Sequence, residues 1–178
     1  VVVADSDLAS AQQTAEMIIA EGHTGIAVEA DVRQERDISE MVQQVMDRWQ
    51  QIDILHNNVG VSIAGGDARI EDITTDAFNL LVEINLRGMV LTSKHVLPHM
   101  RRAGSGSIIN IASMAAIKPY PLVGYKTTKA AVIALTEQIA ATHARYGIRA
   151  NVILPGLMNT PMAIESRVAV NRAREEVI

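Results

Sequence analysis

The 178-residue sequence predicts an α/β fold, one domain built on a parallel sheet. Three observations carry that prediction. Short apolar runs alternate with helix-period stretches of a dozen residues or more, the pattern of βαβ units. Aromatics make up only 3% of the chain, so the core is built from Ala, Val, Ile, Leu and Met, which suit close helix-on-sheet packing. The chemically informative residues fall just after the apolar runs, at the carboxyl ends of the strands, where open parallel sheets bind ligands.

Val1–Ala4 reads as a short buried strand, followed by a helix from Leu8 to about Ala20 that ends at Gly22. Gly25–Ala30 is a second strand, Glu35–Trp49 an amphipathic helix and Ile52–Asn57 a third strand. A polar, Gly-containing loop at Ser62–Asp67 leads to helical sequence from Thr75 to about Arg102, which Pro98 is expected to kink or divide. Gly104-Ser105-Gly106 turns into a fourth strand, Ser107–Ala112. A long helix, Gly124–Arg145, and a fifth strand, Ile148–Leu154, closed by Pro155-Gly156, complete the pattern. Arg172 to Ile178 reads as the middle of a helix. The chain opens inside a strand without an initiator Met, so both ends look cut from a longer protein.

Composition excludes several classes. A net charge of −4 argues against nucleic acid or an anionic membrane as partner. Without cysteine there is neither a disulfide nor thiol chemistry. No apolar run is long enough to span a bilayer and no signal peptide is visible, so a cytoplasmic protein is expected. His95 and His99 stand four apart, but no third ligand is evident and Pro98 interrupts the helix, so no metal site is assigned.

Tyr125 and Lys129, four residues apart, share one helix face a turn apart, with Ser113 twelve residues upstream. A free tyrosine has a pKa of about 10. An ammonium about 4.5 Å away, at an effective dielectric near 20, would stabilise the phenolate by roughly 3–4 kcal/mol. The phenol is therefore expected to ionise near working pH, with the Ser113 hydroxyl holding a substrate oxygen beside it.

Asn57-Asn58-Val59-Gly60, Asn85 within Asn85-Leu86-Arg87-Gly88, Ser113, Tyr125-x-x-x-Lys129, and Pro155-Gly156 followed by Thr160 occur in that order across the chain. Together they resemble the short-chain dehydrogenase/reductase family of nicotinamide-dependent oxidoreductases. The resemblance implies a doubly wound parallel sheet in a single Rossmann-type dinucleotide-binding and catalytic domain over 1–178, transferring hydride between NAD(H) and a small-molecule alcohol or ketone. It makes Tyr125 the general acid in reduction and base in oxidation, and gives Lys129 the nicotinamide ribose as well as the phenol. Ser113 orients the carbonyl, and Asn85 holds a water that relays the proton onward. The other roles of Asn85 and Ser113 are a helix-interior amide and a strand-end cap. Val59 and His56 depart from the family's usual alanine and valine, and an imidazole inside a central strand needs a partner.

For the cofactor, Asp5 at a strand end can accept both ribose hydroxyls of NAD and repel the 2′-phosphate of NADP. No Lys or Arg precedes Arg33, so NAD is favoured over NADP. Asp5 could instead cap the next helix, although Ser6 or Asp7 can do so. Asp31-Val32 fits the adenine edge, with an N-cap as the rival role of Asp31. Asn57, Asn58 and Gly60 line the cofactor, Gly60 by letting the backbone pass close to it. Thr160 contacts the carboxamide near the Met158 backbone, or caps a helix with Pro161 behind it.

The resemblance also implies pairing of the Thr75–Arg102 and Gly124–Arg145 helices into a homodimer or homotetramer of the full-length protein. The loops at Met114–Leu122 and Ser62–Asp72, with the segment after Pro155, should line the pocket. Ala115, Ala116, Ile117 and Leu122 there suggest an apolar carbonyl compound. The family's first strand with its glycine-rich loop, and its C-terminal strand, are missing. Two strand edges should face an unfilled slot, and the chain alone should bind NAD poorly and be unstable. NADP-dependent 3-oxoacyl reduction and a non-catalytic nucleotide-binding regulator are the competing readings; an intact Ser–Tyr–Lys set speaks against the second.

Overall fold

The structure is a computed structural model that describes residues 1–160 and 162–164. The expected helix at Arg172–Ile178 lies outside the described residues. The element order is β1 (Val2–Asp5), α1 (Leu8–Ala20), β2 (Ile26–Glu29), α2 (Glu35–Trp49), β3 (Ile54–Asn57), α3 (Thr75–Val82), α4 (Gly88–Ala103), β4 (Gly106–Ile111), α5 (Val123–His143) and β5 (Ile148–Ile153). Strands and helices fall where the alternation of apolar patterns places them, to within a few residues at each end.

Every pairing is parallel: β1 with β2, and β3 with β4 with β5. The strands form two sheets rather than one, because β1 and β3 do not pair with each other. That matches the expectation of two strand edges without a shared neighbour. On β3, Ile54 is 63% exposed and His56 is exposed as well.

The long helix predicted from Thr75 does break, but not at Pro98. A π-helical segment, Glu83–Arg87, separates α3 from α4, and Pro98 lies inside α4. One wide turn places Asn85 at 0% exposure, facing inward.

The main core lies between the three-stranded sheet and helices α2, α4 and α5: Val42, Val96, Met100, Ile108, Ile139 and Ile148. Through it runs a chain of buried polar groups. Thr92 donates to Asn57 Oδ1, Asn57 Nδ2 to Asn110 Oδ1, and Asn110 Nδ2 to Thr136 Oγ1, each at 2.9 Å. Amides buried inside a sheet require partners, and here each supplies the next.

The two sheets are held together through the start of α4. Val32, just beyond β2, packs so closely on Gly88 that a Cβ there would lie 2.9 Å from Val32 Cβ. One turn later Thr92 bonds Asn57, the last residue of β3. Glu35 on α2 adds contacts to Lys94 (2.6 Å) and His95 (3.0 Å) of α4. The carboxyl ends of β2 and β3 thus meet the same first turns of α4.

Candidate active site

Ser113 follows β4 and begins a 3₁₀ turn, Met114–Ala116. Its Oγ accepts from Ala115 N at 3.1 Å, the cap role, which leaves its own O–H free to donate. The two roles considered for this serine coexist, since the same hydroxyl hydrogen-bonds the Tyr125 phenol.

Tyr125 sits in the first turn of α5 and is partly buried. Lys129, one turn on, is 2% exposed, with Nζ 5.6 Å from the Tyr125 ring centroid and 2.8 Å from the Ile111 carbonyl. The Tyr120 ring is tilted against that of Tyr125, ring centroids 6.0 Å apart.

The electrostatics correct one expectation. Burial raises the Tyr125 pKa, and the Ser113 hydrogen bond only works against that. Burial also lowers Lys129 to about 8. Desolvation penalises both charged forms, so the phenol is pushed towards neutrality rather than ionised by its neighbour.

The Asn85 side-chain amide is anchored to the protein. Its Oδ1 accepts from Val61 N at 2.8 Å, while Nδ2 donates to Val61 O at 2.9 Å and Thr128 Oγ1 at 3.1 Å. Both amide donors are spent on the protein, which ties the segment after Gly60 to α5. A Cβ at Gly60 would meet Lys129 Nζ at 3.1 Å and Asn85 Oδ1 at 3.2 Å, so the glycine lets the backbone lie against both.

Of the residues read as cofactor contacts, several reach the rim and one does not. Asp5 ends β1, is exposed, and accepts from Asp7 N at 3.0 Å through Oδ1. Asp7 is the N-cap of α1, so Asp5 is released from that duty. Asp31 is not the N-cap of α2, which is Gln34. The Arg33 guanidinium grips both Asp31 oxygens instead and holds its carboxyl below the usual range. Ser6, Glu29, Asp31, Arg33, Asp37 and Glu40 line a cleft of about 450 Å³.

Asn58 is exposed at the β3 tip, whereas Asn57 is committed to the buried polar chain. Pro155 O accepts from Met114 N at 3.0 Å, joining the ends of β4 and β5, and Gly156 faces open space. Met158 is 61% exposed. Thr160 caps a turn, its Oγ1 accepting from Ala163 N at 3.3 Å. Of the expected pocket residues Ile117 is exposed, but Leu122 is 3% exposed and packed inward.

The sequence reading missed Asp67, Lys126 and the Asn110–Thr136 pair. Asp67 accepts from Gly124 N and Tyr125 N. Lys126 Nζ donates to the carbonyls of Ala115, Ala116 and Lys118, bracing the loop after Ser113. An Asn inside the apolar run of β4 was the one visible signal among these.

His95 and His99 serve separate contacts, with Glu35 and Arg102. Among the described residues no cluster of three metal-ligating side chains occurs, and no helix is long and apolar enough to cross a membrane.

The fold is thus a Rossmann-type parallel α/β fold, with Ser113, Tyr125 and Lys129 gathered beyond the end of β4. A sequence model of the short chain dehydrogenase family matches residues 1–171, and the chain belongs to that family. It is 34% identical over 154 residues to 2-(R)-hydroxypropyl-CoM dehydrogenase of Xanthobacter autotrophicus, covering 86% of this chain and 61% of that protein. It is 35% identical over 137 residues to 7alpha-hydroxysteroid dehydrogenase of Clostridium sardiniense, covering 76% and 52%. The fold superposes on NAD+-bound xylitol dehydrogenase with a TM-score of 0.89, at 32% identity over 96% of this chain and 65% of that one. A gluconate 5-dehydrogenase from Burkholderia cenocepacia in complex with NADP and tartrate gives 0.83, at 31% identity over 90% and 62%. The chain thus spans about three fifths of the length of these relatives. Members of the family bind NAD or NADP.

Proposed function

We propose that the protein containing this chain transfers a hydride between NAD(H) and a small-molecule alcohol or ketone, with Tyr125 as the acid-base group. The observation that carries this reading is the convergence of Ser113, Tyr125 and Lys129 at one strand end. A bound nicotinamide supplies or takes up the hydride.

Ser113, whose hydroxyl stands against the Tyr125 phenol, would turn its O–H to the substrate oxygen and stabilise charge developing there. Tyr125 carries its proton in the resting site, as its raised pKa dictates, and donates it to the substrate oxygen as charge develops there in ketone reduction. In alcohol oxidation the same oxygen takes the proton back. Lys129 restores some cationic character beside the ring, and Asn85 fixes Gly60 and Val61 against it.

The residues fit NAD better than NADP. Asp5 presents its second carboxylate oxygen at the β1 tip, suited to ribose hydroxyls. The adjacent cleft carries four carboxylates against one guanidinium, and that guanidinium is held by Asp31. A 2′-phosphate would meet net negative charge there. Asn58, Gly60, Pro155-Gly156, Met158 and Thr160 would line the rest of the dinucleotide, with Val32 at the adenine edge. Asn57 supports that rim from beneath. The substrates named for the relatives range from a steroid to a sugar alcohol, so only the class, a secondary alcohol or its ketone, is carried over.

Assembly as a homodimer or homotetramer belongs to the same reading, and Val90, 41% exposed on α4, is available for it. Fluorescence titration of the full-length protein with NADH and NADPH tests the cofactor assignment. At least tenfold tighter NADH binding is expected; equal or reversed affinities would overturn it.

A further inference from the structure

We propose that Asp67 is a positioning residue for this site: its carboxylate grips the start of α5 and fixes where Tyr125 stands. Its effect on turnover rests on the dehydrogenase reading; the grip itself does not.

The 21-residue helix α5 begins with an apolar N-cap, Leu122, that makes no side-chain cap. Its first N–H groups therefore need acceptors from elsewhere. Asp67 and Ala68 supply three in succession. Val123 N donates to Ala68 O at 2.9 Å, Gly124 N to Asp67 Oδ1 at 2.8 Å, and Tyr125 N to Asp67 Oδ2 at 2.9 Å. Ser62, 1% exposed, adds a hydrogen bond from Oγ to Oδ2 at 3.3 Å.

Asp67 is 7% exposed, so these bonds are largely shielded from water. Both oxygens are engaged, each with a different N–H, and the helix end favours the negative charge. Gly124 makes the approach feasible, since a Cβ there would lie 3.0 Å from Oδ1.

The residue held by Oδ2 is the acid-base tyrosine itself. The loop that provides the grip is fastened at its other end by Asn85, which binds Val61 and, through Thr128, the same helix. Tyr125 thus sits between two ties joining the loop to α5. Loosening one should misplace the phenol relative to Ser113 without touching the ribose side of the cofactor.

The test uses the full-length protein with NAD and cyclohexanol as the probe alcohol, comparing Asp67→Asn, Asp67→Ser and Ser62→Ala with the parent. Asp67→Asn keeps the volume but turns an N–H donor towards one of the two helix N–H groups. It should lower kcat by about tenfold or more while the KM for NAD changes less than about twofold. Asp67→Ser, with one acceptor, should not rescue. Ser62→Ala, the milder change, should lower kcat by about two- to fivefold.

Amide hydrogen exchange supplies the second readout. Exchange at Gly124 and Tyr125 should quicken about tenfold in Asp67→Asn while Val132–Ile139 stay protected. Full kcat in Asp67→Asn or in Asp67→Ser, or unchanged exchange at both amides, would overturn the proposal. If the parent does not oxidise cyclohexanol, the substrate class is at fault and the exchange result alone decides the grip.

Discussion

Lys129 Nζ lies 5.6 Å from the Tyr125 ring centroid and gives a hydrogen bond to the Ile111 carbonyl at 2.8 Å. The ammonium is buried beneath the ring, and its pKa falls from the ordinary 10.5 to about 8. A group placed only for stability would not be left in that state.

The sign of the effect gives the first prediction. The folded pKa lies below the unfolded one, so between about pH 8 and 10.5 the unfolded chain binds more protons and stability rises with pH. Below that window the burial of charge costs its full amount, about 3 kcal/mol. Lys129→Met should therefore stabilise the full-length protein at about pH 7, by about 1–2 kcal/mol after loss of the Ile111 hydrogen bond. The gain should vanish near pH 10, and turnover should be lost at both. Urea midpoints at the two pH values provide the check.

The buried polar chain gives the second. Asn110→Leu removes the partner of both Asn57 Nδ2 and Thr136 Oγ1 and should cost about 2–4 kcal/mol. Thr136→Val, which removes only the last link, should cost about 1–2 kcal/mol. Equal losses in chemical denaturation would mean the chain is not coupled.

These two features also show where the sequence stopped being informative. Ser113, Tyr125 and Lys129 were legible because a helix turns their spacing into proximity. Asn57 and Asn110 were not legible as partners, since their contact depends on the register of β3 on β4. Asp67 lies 57 positions from Gly124, a separation that no local pattern bridges. The π-helical turn at Asn85 has no spacing signature, and so Pro98, the visible helix breaker, drew the expected break to the wrong place. The phenol's raised pKa was missed because spacing reveals a neighbouring charge but not the depth of burial.

The third prediction concerns the contact between α4 and the segment after β2. Gly88→Ala would bring a Cβ to 2.9 Å from Val32 Cβ, a branched atom with little room to yield. Overpacking should cost about 1–3 kcal/mol and weaken nucleotide binding, because the same contact joins the two sheets. Val32→Ala in the same background should recover part of the loss. Thermal denaturation with and without NAD measures both effects.

The fourth concerns cofactor choice. Asp5→Ser removes the β1-tip carboxylate while Asp7 continues to cap α1. The ratio of kcat/KM for NADP to that for NAD should rise by about tenfold or more, mainly through weaker use of NAD. An unchanged ratio would take Asp5 out of the ribose site.

The acid-base role of Tyr125 is tested most directly by Tyr125→Phe in the full-length protein, measuring single-turnover hydride transfer and NADH affinity side by side. The change removes one oxygen and leaves the Asp67 and Lys129 contacts to backbone in place. The expected result is a transfer rate lowered by about a thousandfold or more, with the NADH dissociation constant altered less than about threefold. Transfer at near the parental rate would contradict the assignment, and with it the proposed chemistry.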